Sequence, residues 1–463
     1  MDAPVSKAAE ARIEFYRNKG KIHARGVKGR FNTLRWAMVW ITQIIFYGAC
    51  WLQWPGGDGT LRQAILMDIP HERLNLFGLV LWPQDALLLA IMLILAATAL
   101  FLVTALSGRL FCGFACPQTV YTMIFTKVEA LVEGDHLARM RLDQAPLSAR
   151  KLGIKSVKHG LWLAIAAWTG ITFVGYFTPI RELLAALPGW NLGPWEGFWV
   201  GFYALFTYLQ AGFAREMVCQ HMCPYSRFQG VMFDKDTRTV SYDTARGEPR
   251  GRGKKAADKG DCVDCGICVQ VCPTGIDIRD GLQYQCINCG LCVDACDEVM
   301  TRIARPVGLI RYASSHELAH AAPARGRPRL AVYGGLLAVF VGLGAWSVAA
   351  RPSLRVDVLR DRGVLAREVG EGRVENIYTL KLMNLREAPR DFKVAVSGLP
   401  GLRVDGRRQF AVGPGEVREV QLTLSAPQAE DARSGARAIA FQIQAVGEPA
   451  SAIEEKSTFV PMP

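Results

Sequence analysis

The chain has 463 residues, half of them hydrophobic, with a formal net charge of +12 and a positive mean hydropathy. That is too apolar for a purely soluble protein of this charge, and it predicts membrane spans joined to polar domains. The basic excess suits the cytoplasmic side of a membrane and anionic lipid, so the lipid bilayer is the expected partner and nucleic acid is not.

Residues 1–35 carry nine Lys/Arg against three acidic residues. Without an apolar core or a small-residue cleavage site the segment is no signal peptide, and its basicity places it in the cytoplasm. A four-span membrane domain is predicted over 36–224. Its first apolar run, about Leu34 to Trp54, has Trp36, Trp40, Trp51 and Trp54 toward its ends, where amphipathic rings prefer the interface. Cys50 within it reads as a small packing residue. The loop from Pro55 to Asp85 carries few basic residues and reads as external. A second run, Ala86 to Leu106, returns the chain to the cytoplasm and delivers Arg109 and Cys112-Gly-Phe-Ala-Cys116-Pro117. Basic residues through Lys158 mark the same side. Third and fourth runs, Leu161 to Phe177 and Trp195 to Ala214, end in Arg215 and Cys219-Gln-His-Met-Cys223-Pro224. The two C-x3-C-P motifs are therefore an internal repeat on one face.

Residues 225–325 form a cytoplasmic segment with a basic linker, Arg246 to Lys259, ahead of a dense cysteine pattern. It reads Cys262-x2-Cys265-x2-Cys268-x3-Cys272-Pro273, then Cys286-x2-Cys289-x2-Cys292-x3-Cys296. This is the bacterial two-cluster ferredoxin spacing, in which the fourth cysteine of each run reaches the other cluster. One 4Fe-4S cluster is expected on Cys262, Cys265, Cys268 and Cys296, the other on Cys286, Cys289, Cys292 and Cys272. Gly266 and Gly290 permit the tight bends. Structural zinc is disfavoured, because zinc ribbons use separated C-x2-C knuckles. Asp297 stands where a proline usually follows the last ligand.

A fifth span, 330–350, follows Arg325, Arg327 and Arg329 and should exit to the periplasm. The tail, 351–463, alternates at Phe392, Val394, Val396, at Val420, Leu422, Leu424 and at Ile439, Phe441, Ile443, which predicts an immunoglobulin-like β-sandwich without a cysteine pair. The fold class is thus a multi-domain membrane protein: an α-helical domain of about five spans, an α+β two-cluster ferredoxin domain and a C-terminal β-sandwich.

Cys112, Cys116, Cys219 and Cys223 admit a metal site, a dithiol couple, packing at a helix end or a third iron-sulfur cluster. Each second cysteine precedes a proline suited to the first position of a helix, and a thiol there is expected to ionise easily. His221, Met222 and Met217 add donors that suit reduced copper. No apolar interior of a span holds a histidine for haem, and the spans are expected to lack buried charges, which disfavours a proton relay. His316 and His320 read as solvated or headgroup-facing.

Taken together, Cys112-Gly-Phe-Ala-Cys116-Pro117-Gln-Thr-Val-Tyr121, Met222-Cys223-Pro224-Tyr-Ser-Arg-Phe-Gln229, Phe233-Asp-Lys-Asp236, the run from Pro273 to Gly281 and Gly308-Leu-Ile-Arg-Tyr312 resemble the CcoG (FixG, RdxA) family of cytochrome c oxidase accessory proteins. The resemblance implies reduction of Cu(II) to Cu(I) for assembly of the cbb-type oxidase in the bacterial inner membrane. It carries the ferredoxin ligands onto the eight cysteines above, and the reducing site onto Cys112, Cys116, Cys219 and Cys223. The implied partners are oxidase-assembly and copper-transfer proteins and a cytoplasmic electron donor, with a homodimer allowed. An electron-transfer ferredoxin with no substrate of its own and a non-catalytic assembly scaffold are the competing readings.

Overall fold

The computed structural model describes residues 21–56, 60–251, 259–319, 327–361, 366–370, 372–386, 388–428 and 435–461. The first twenty residues, residues 252–258 of the basic linker, and His320 and Arg325 lie outside them. The chain divides into two compact units. One comprises the described residues of Met1–Ile45, Ala97–Gly170 and Phe198–Leu336; the other comprises those of Phe46–Ala96, Ile171–Gly197 and Leu337–Pro463.

Helices in chain order are α1 (Arg30–Ala49), α2 (Ala86–Ser107), α3 (Leu110–Phe114), α4 (Pro117–Glu133), α5 (His136–Gln144), α6 (Ala149–Val174), α7 (Ile180–Ala186) and α8 (Pro194–Leu209). They continue with α9 (Pro224–Met232), α10 (Thr244–Gly247), α11 (Ile267–Gln270), α12 (Leu291–Arg302), α13 (Ser315–Leu318) and α14 (Pro328–Ala349). Among the described residues three helices, α2, α6 and α14, are long and apolar enough to cross a bilayer. The most apolar stretch of α14 buries nothing inside the protein, as a lipid-facing helix should. α1 and α8 are helical where spans were expected but are shorter or more polar.

Three expectations change. The first run leaves the helix after Ala49, because Gln53–Pro55 is captured as a strand by Leu61–Gln63. α6 starts at Ala149, well before Leu161, because Lys155 and Lys158 are neutralised by Glu133 at 2.8 and 3.0 Å and no longer oppose an apolar setting; His159 consequently lies inside a helix, its ring 2.9 Å from the Tyr208 hydroxyl. Buried charge is also present after all: Arg35, Lys158 and Arg215 are each under a tenth exposed.

In the second unit, the segment between Pro55 and Asp85 is more ordered than a loop, with β1 (Gln53–Pro55) on β2 (Leu61–Gln63) and a three-stranded sheet of β3 (Ile65–Asp68), β4 (Arg73–Leu76) and β5 (Leu79–Leu81). The tail contributes β8 (Leu354–Arg360), β9 (Arg367–Val369), β10 (Arg373–Asn384), β11 (Arg390–Ser397), β12 (Arg403–Asp405), β13 (Gln409–Val412), β14 (Val417–Pro427), β15 (Arg437–Ala445) and β16 (Glu448–Phe459). One sheet runs β12-β14-β10-β8 with β9 on β10, the other β13-β11-β15-β16, all antiparallel. The alternating residues face each other across this sandwich: Phe392, Leu424, Phe441, Ile443 and Tyr378 are fully buried, with the Tyr378 and Phe441 rings 5.2 Å apart, edge to face.

In the first unit, β6 (Thr239–Tyr242) pairs with β7 (Ile310–Ala313) beneath α11 and α12. Its membrane-face elements are bound by a buried ion network centred on Glu129 of α4, which has no solvent exposure. Glu129 lies 2.8 Å from both Lys21 and Arg215 and 3.4 Å from Arg139. Trp162 stacks on Phe125 at 5.1 Å, with the Lys158 ammonium 4.7 Å over its ring. Burial alone would raise the Glu129 carboxyl, but Arg215 and Lys21 overrule it and bring the pKa down to about 2. Its stabilising contribution is complete above the ordinary carboxylate range and is lost only as the pH falls toward that value. Glu129→Gln would leave several buried cations without a counter-charge, at about 3–5 kcal/mol. The expected result is a lower thermal midpoint for the detergent-solubilised chain, measured at neutral pH against the parent.

Candidate functional site

The cysteine run folds into two matching loops. In each, a polar residue two places after the first cysteine takes a left-handed backbone, Asp264 at φ 51° and Asn288 at φ 56°. The glycine after the second cysteine does the same, Gly266 at 68° and Gly290 at 74°, and opens α11 or α12. These kinks are what turn three sulfurs of each run toward one point. One cavity is lined by Cys272, Cys286, Cys289 and Cys292, the other by Cys262, Cys265 and Cys296, and Cys268 borders both.

The donor chemistry fits iron-sulfur cubes. Backbone N–H groups of Asn288 and Leu291 point at the sulfurs of Cys286 and Cys289. Burial pushes the Cys286 and Cys296 thiols up to about 12, so unaided they stay protonated, and a cationic iron centre is what would hold them as thiolates. When bound, each cluster would supply one-electron transfer. The Asp297 carboxylate accepts the Gly308 N–H at 2.8 Å and so ties α12 to the approach of β7.

The second loop is also the part of the ferredoxin segment that meets the membrane helices. Asn288 is buried and uses its whole side chain: its Nδ2 donates to Ser107 O at the end of α2 at 2.8 Å, and its Oδ1 accepts the Val240 N–H at 2.7 Å. Its carbonyl accepts the Tyr312 hydroxyl. Gly113, inside the first C-x3-C motif, lies so close that a Cβ there would come within 2.7 Å of Ile287 O. Arg35 of α1 donates to Gly113 O at 3.0 Å and is an electrostatic neighbour of Cys289. Asp294 of α12 accepts the N–H groups of Phe31 and Asn32 at 3.1 and 2.7 Å, capping α1 from another element.

The four remaining cysteines of interest sit next to this loop. Cys116 and Cys223 cap α4 and α9, each with proline at the first helical position. The Gln118 and Thr119 N–H groups reach the Cys116 sulfur as a helix start would provide. At Cys116 burial nevertheless outweighs the helix start and pushes the thiol up, against the expectation of easy ionisation there; burial also pushes Cys112 up to about 11 and Cys219 up to about 12, and the proximity of the neighbouring cysteines adds to it. Gln118 donates from its amide to Gln210 O and Arg215 O at 3.0 and 3.1 Å, linking the two motifs. The second is further shaped by wide π-turns at Gln210–Ala214 and Val218–Met222, with Arg215 between them at φ 40°. Cys112 donates to Gln229 Oε1 at 3.4 Å. Arg109 is buried and donates to Tyr284 O and Ser226 O, facing Cys112, Cys286, Cys219 and Cys223 together. Met217, His221 and Met222 are exposed beside the motif, outside its buried interior.

Sequence reasoning located the cysteines, and Arg109 and Gln229 within their motifs without a role for either, but missed Asn288 and the Glu129 network. The one available signal for Asn288 was its match to Asp264 in the repeated loop.

Comparison with known proteins follows this layout. A 4Fe-4S dicluster domain model matches residues 214–315, a 4Fe-4S binding domain model matches 89–154, and a model described as the immunoglobulin-like fold at the C-terminus of FixG matches 344–461. Nitrogen fixation protein FixG of Rhizobium meliloti is 37% identical over 475 residues, covering 92% of this chain and 90% of that protein. The chain belongs to the FixG family. Protein RdxA of Cereibacter sphaeroides is 38% identical, covering 91% of this chain and 92% of its own. A crystal structure of a FixG-related protein from Vibrio parahaemolyticus, 28% identical, covers 24% of this chain and 96% of that one, with a TM-score of 0.21. As a FixG-family member the chain is a membrane iron-sulfur protein with a redox function.

The cavity linings generate a test of the crossed ligands. Cys296→Ser is expected to remove the signal of the cluster on Cys262, Cys265 and Cys268 while the Cys286 group keeps its own, read by electron paramagnetic resonance of the reduced chain. Loss of the second signal with survival of the first would reverse the assignment.

Proposed function

We propose that the chain passes single electrons from a low-potential one-electron carrier in the cytoplasm, through its two clusters, to the four-cysteine centre, where Cu(II) is reduced to Cu(I) for assembly of the cbb-type cytochrome c oxidase. The observation that carries this reading is the direct packing of Gly113 against the Ile287–Cys289 backbone. Cys112 itself packs against the buried cluster that contains Ile287, Cys289 and Leu291. An electron leaving the Cys286 group needs no moving part to reach the membrane face. Each turnover oxidises the donor by one electron and converts one Cu(II) to Cu(I), so no proton or leaving group is involved. Copper is substrate here. The soft sulfur of Cys112, Cys116, Cys219 and Cys223, with His221 and Met222 exposed alongside, favours the reduced ion.

Orientation completes the proposal. Basic residues flank the C-x3-C-P face and are sparse between Pro55 and Asp85, which supports a cytoplasmic ferredoxin segment and a periplasmic sandwich in the inner membrane. The sandwich is then placed to meet copper-transfer or oxidase-assembly partners, and a homodimer is compatible with the lipid-facing helices. An alkaline phosphatase fusion after Lys259 should be inactive and one after Arg351 active; an active fusion at Lys259 would sink the topology.

Reduction itself is tested anaerobically on protein whose clusters have been reduced with dithionite and then freed of excess reagent, with a Cu(I)-specific chelator as reporter and direct reduction by residual reagent subtracted. Replacing Cys112, Cys116, Cys219 and Cys223 together by serine should cut Cu(I) production about tenfold or more, while the ferredoxin absorbance persists. Undiminished production would promote the reading of an electron carrier with no substrate of its own.

A further inference from the structure

We infer that Arg35 and Arg109 give the electron path its direction: they make the site of Cys286, Cys289, Cys292 and Cys272 the easier of the two ferredoxin sites to reduce, so that an electron entering at the Cys262 group runs downhill to the membrane face. The step moves one electron, oxidising the Cys262 group and reducing the Cys286 group, with no proton or leaving group. Its direction toward the membrane face rests on the electron path proposed above; the order of the two potentials does not.

Both guanidiniums are built into the seat of the second cysteine loop. Arg35 is 3% and Arg109 4% exposed. Arg35 donates to Gly113 O at 3.0 Å, and a Cβ on Gly113 would lie 3.0 Å from the Cys289 Cα. Arg109 donates to Tyr284 O, two residues ahead of Cys286, and to Ser226 O on α9. These acceptors are carbonyls, so no bonded carboxylate cancels either charge, and the buried Arg109 Nε has no hydrogen-bond partner among the described residues. Arg35 is thereby an electrostatic neighbour of Cys289, and Arg109 of Cys286.

The other pocket carries the opposite sign. Arg279 faces Cys268 but is committed twice, its Nη2 lying 2.6 Å from Asp277 and its Nη1 2.6 Å from Asp264. Asp277 also faces Cys268, and Asp297 faces Cys296. One guanidinium against three carboxylates leaves the Cys262 group in negative surroundings, whereas the Cys286 group has two uncancelled positive charges. Asp294 stands midway between Cys292 and Cys296 on α12, and its carboxylate is taken up by the Phe31 and Asn32 N–H groups, so it does not separate the two sites.

A cube on four thiolates is net negative and gains one more negative charge on reduction. Nearby cations favour the reduced state and nearby carboxylates disfavour it, so the two sets of side chains push the potentials apart in one direction. Burial resists added charge in both pockets, where Cys262, Cys268 and Cys289 are each under a tenth exposed. The same dry surroundings magnify fixed charges, because the Coulomb interaction grows as the dielectric falls. A guanidinium suits this position, since it keeps its proton when desolvated. Arg109 also faces Cys112, Cys219 and Cys223, which makes Arg35, beside Cys289, the cleaner probe.

The test is a redox titration of the anaerobically purified full-length chain, followed by electron paramagnetic resonance. The signal that survives in Cys296→Ser belongs to the Cys286 group, and in the parent it should be the first of the two ferredoxin signals to be reduced as the potential is lowered. Arg35→Gln should shift that signal to lower potential at unchanged iron content and leave the Cys262-group signal in place. Arg35→Lys, which keeps the charge, should restore part of the shift, and Arg109→Gln should act in the same direction as Arg35→Gln. Asp297→Asn should move the Cys262-group signal the other way, to higher potential, and it identifies that signal should Cys296→Ser lose both. Reduction of the Cys262 group first in the parent overturns the inference, as does an unshifted titration of Arg35→Gln or Asp297→Asn at full iron content. Should the arginine variants fail to hold iron, the parent order and Asp297→Asn decide. A chain with the expected order that reduces no Cu(II) would sink the copper reading and leave the inference standing.

Discussion

Everything in the redox half of this protein depends on the seating of the Cys286–Cys292 loop against the ends of the membrane helices. A buried loop must satisfy its backbone polar groups, and here Asn288 does so for three neighbours at once, reaching α2, β6 and β7. Because Asn288 lies between two cluster ligands, the bonds that attach the ferredoxin segment to the membrane face are also the bonds that hold its sulfurs. Gly113 completes the contact by having no side chain to keep the backbones apart. Electron tunnelling falls steeply with distance, so a rigid joint at this point serves better than a flexible carrier.

Charge is distributed to match. Arg35 and Arg109 are buried near cysteines rather than near carboxylates, whereas Arg139 and Arg215 are buried around Glu129. The first pair makes sense only beside anionic clusters; the second is self-sufficient and structural. The same residue type thus serves two purposes, and what separates them is whether a carboxylate lies within reach. The Glu129 network has a further effect through Arg215, whose left-handed backbone starts the turn that brings Cys219 and Cys223 round to Cys112 and Cys116.

How much of this could be read from the chain alone follows from the range of the forces involved. The ferredoxin pattern was legible because cluster chemistry demands sulfurs at short, regular spacing. The sandwich was legible because a strand buried on one face must alternate, as Phe392-Val394-Val396 and Ile439-Phe441-Ile443 do. The start of α6 was not, since Lys155 and Lys158 look like the polar end of a span until Glu133 is placed beside them. Nor was the acidity of Cys116: a helix start favours the thiolate locally, but burial is a tertiary property and outweighs it. Asn288, Arg109 and Glu129 act on partners far along the chain or at element ends, where no periodicity announces them.

The capping of α1 by Asp294 has a consequence for the order of assembly. The donor groups of Phe31 and Asn32 and their acceptor are separated by more than 260 residues. During synthesis the first helix therefore leaves the ribosome long before the group that finishes it. Until α12 has folded, its opening turn can have these N–H groups satisfied only by water or transient partners, and α12 carries two cysteines expected to ligate iron. Maturation of α1 is in this way tied to that of the cluster-bearing α12, so the availability of iron and sulfide bears on when α1 acquires its settled end.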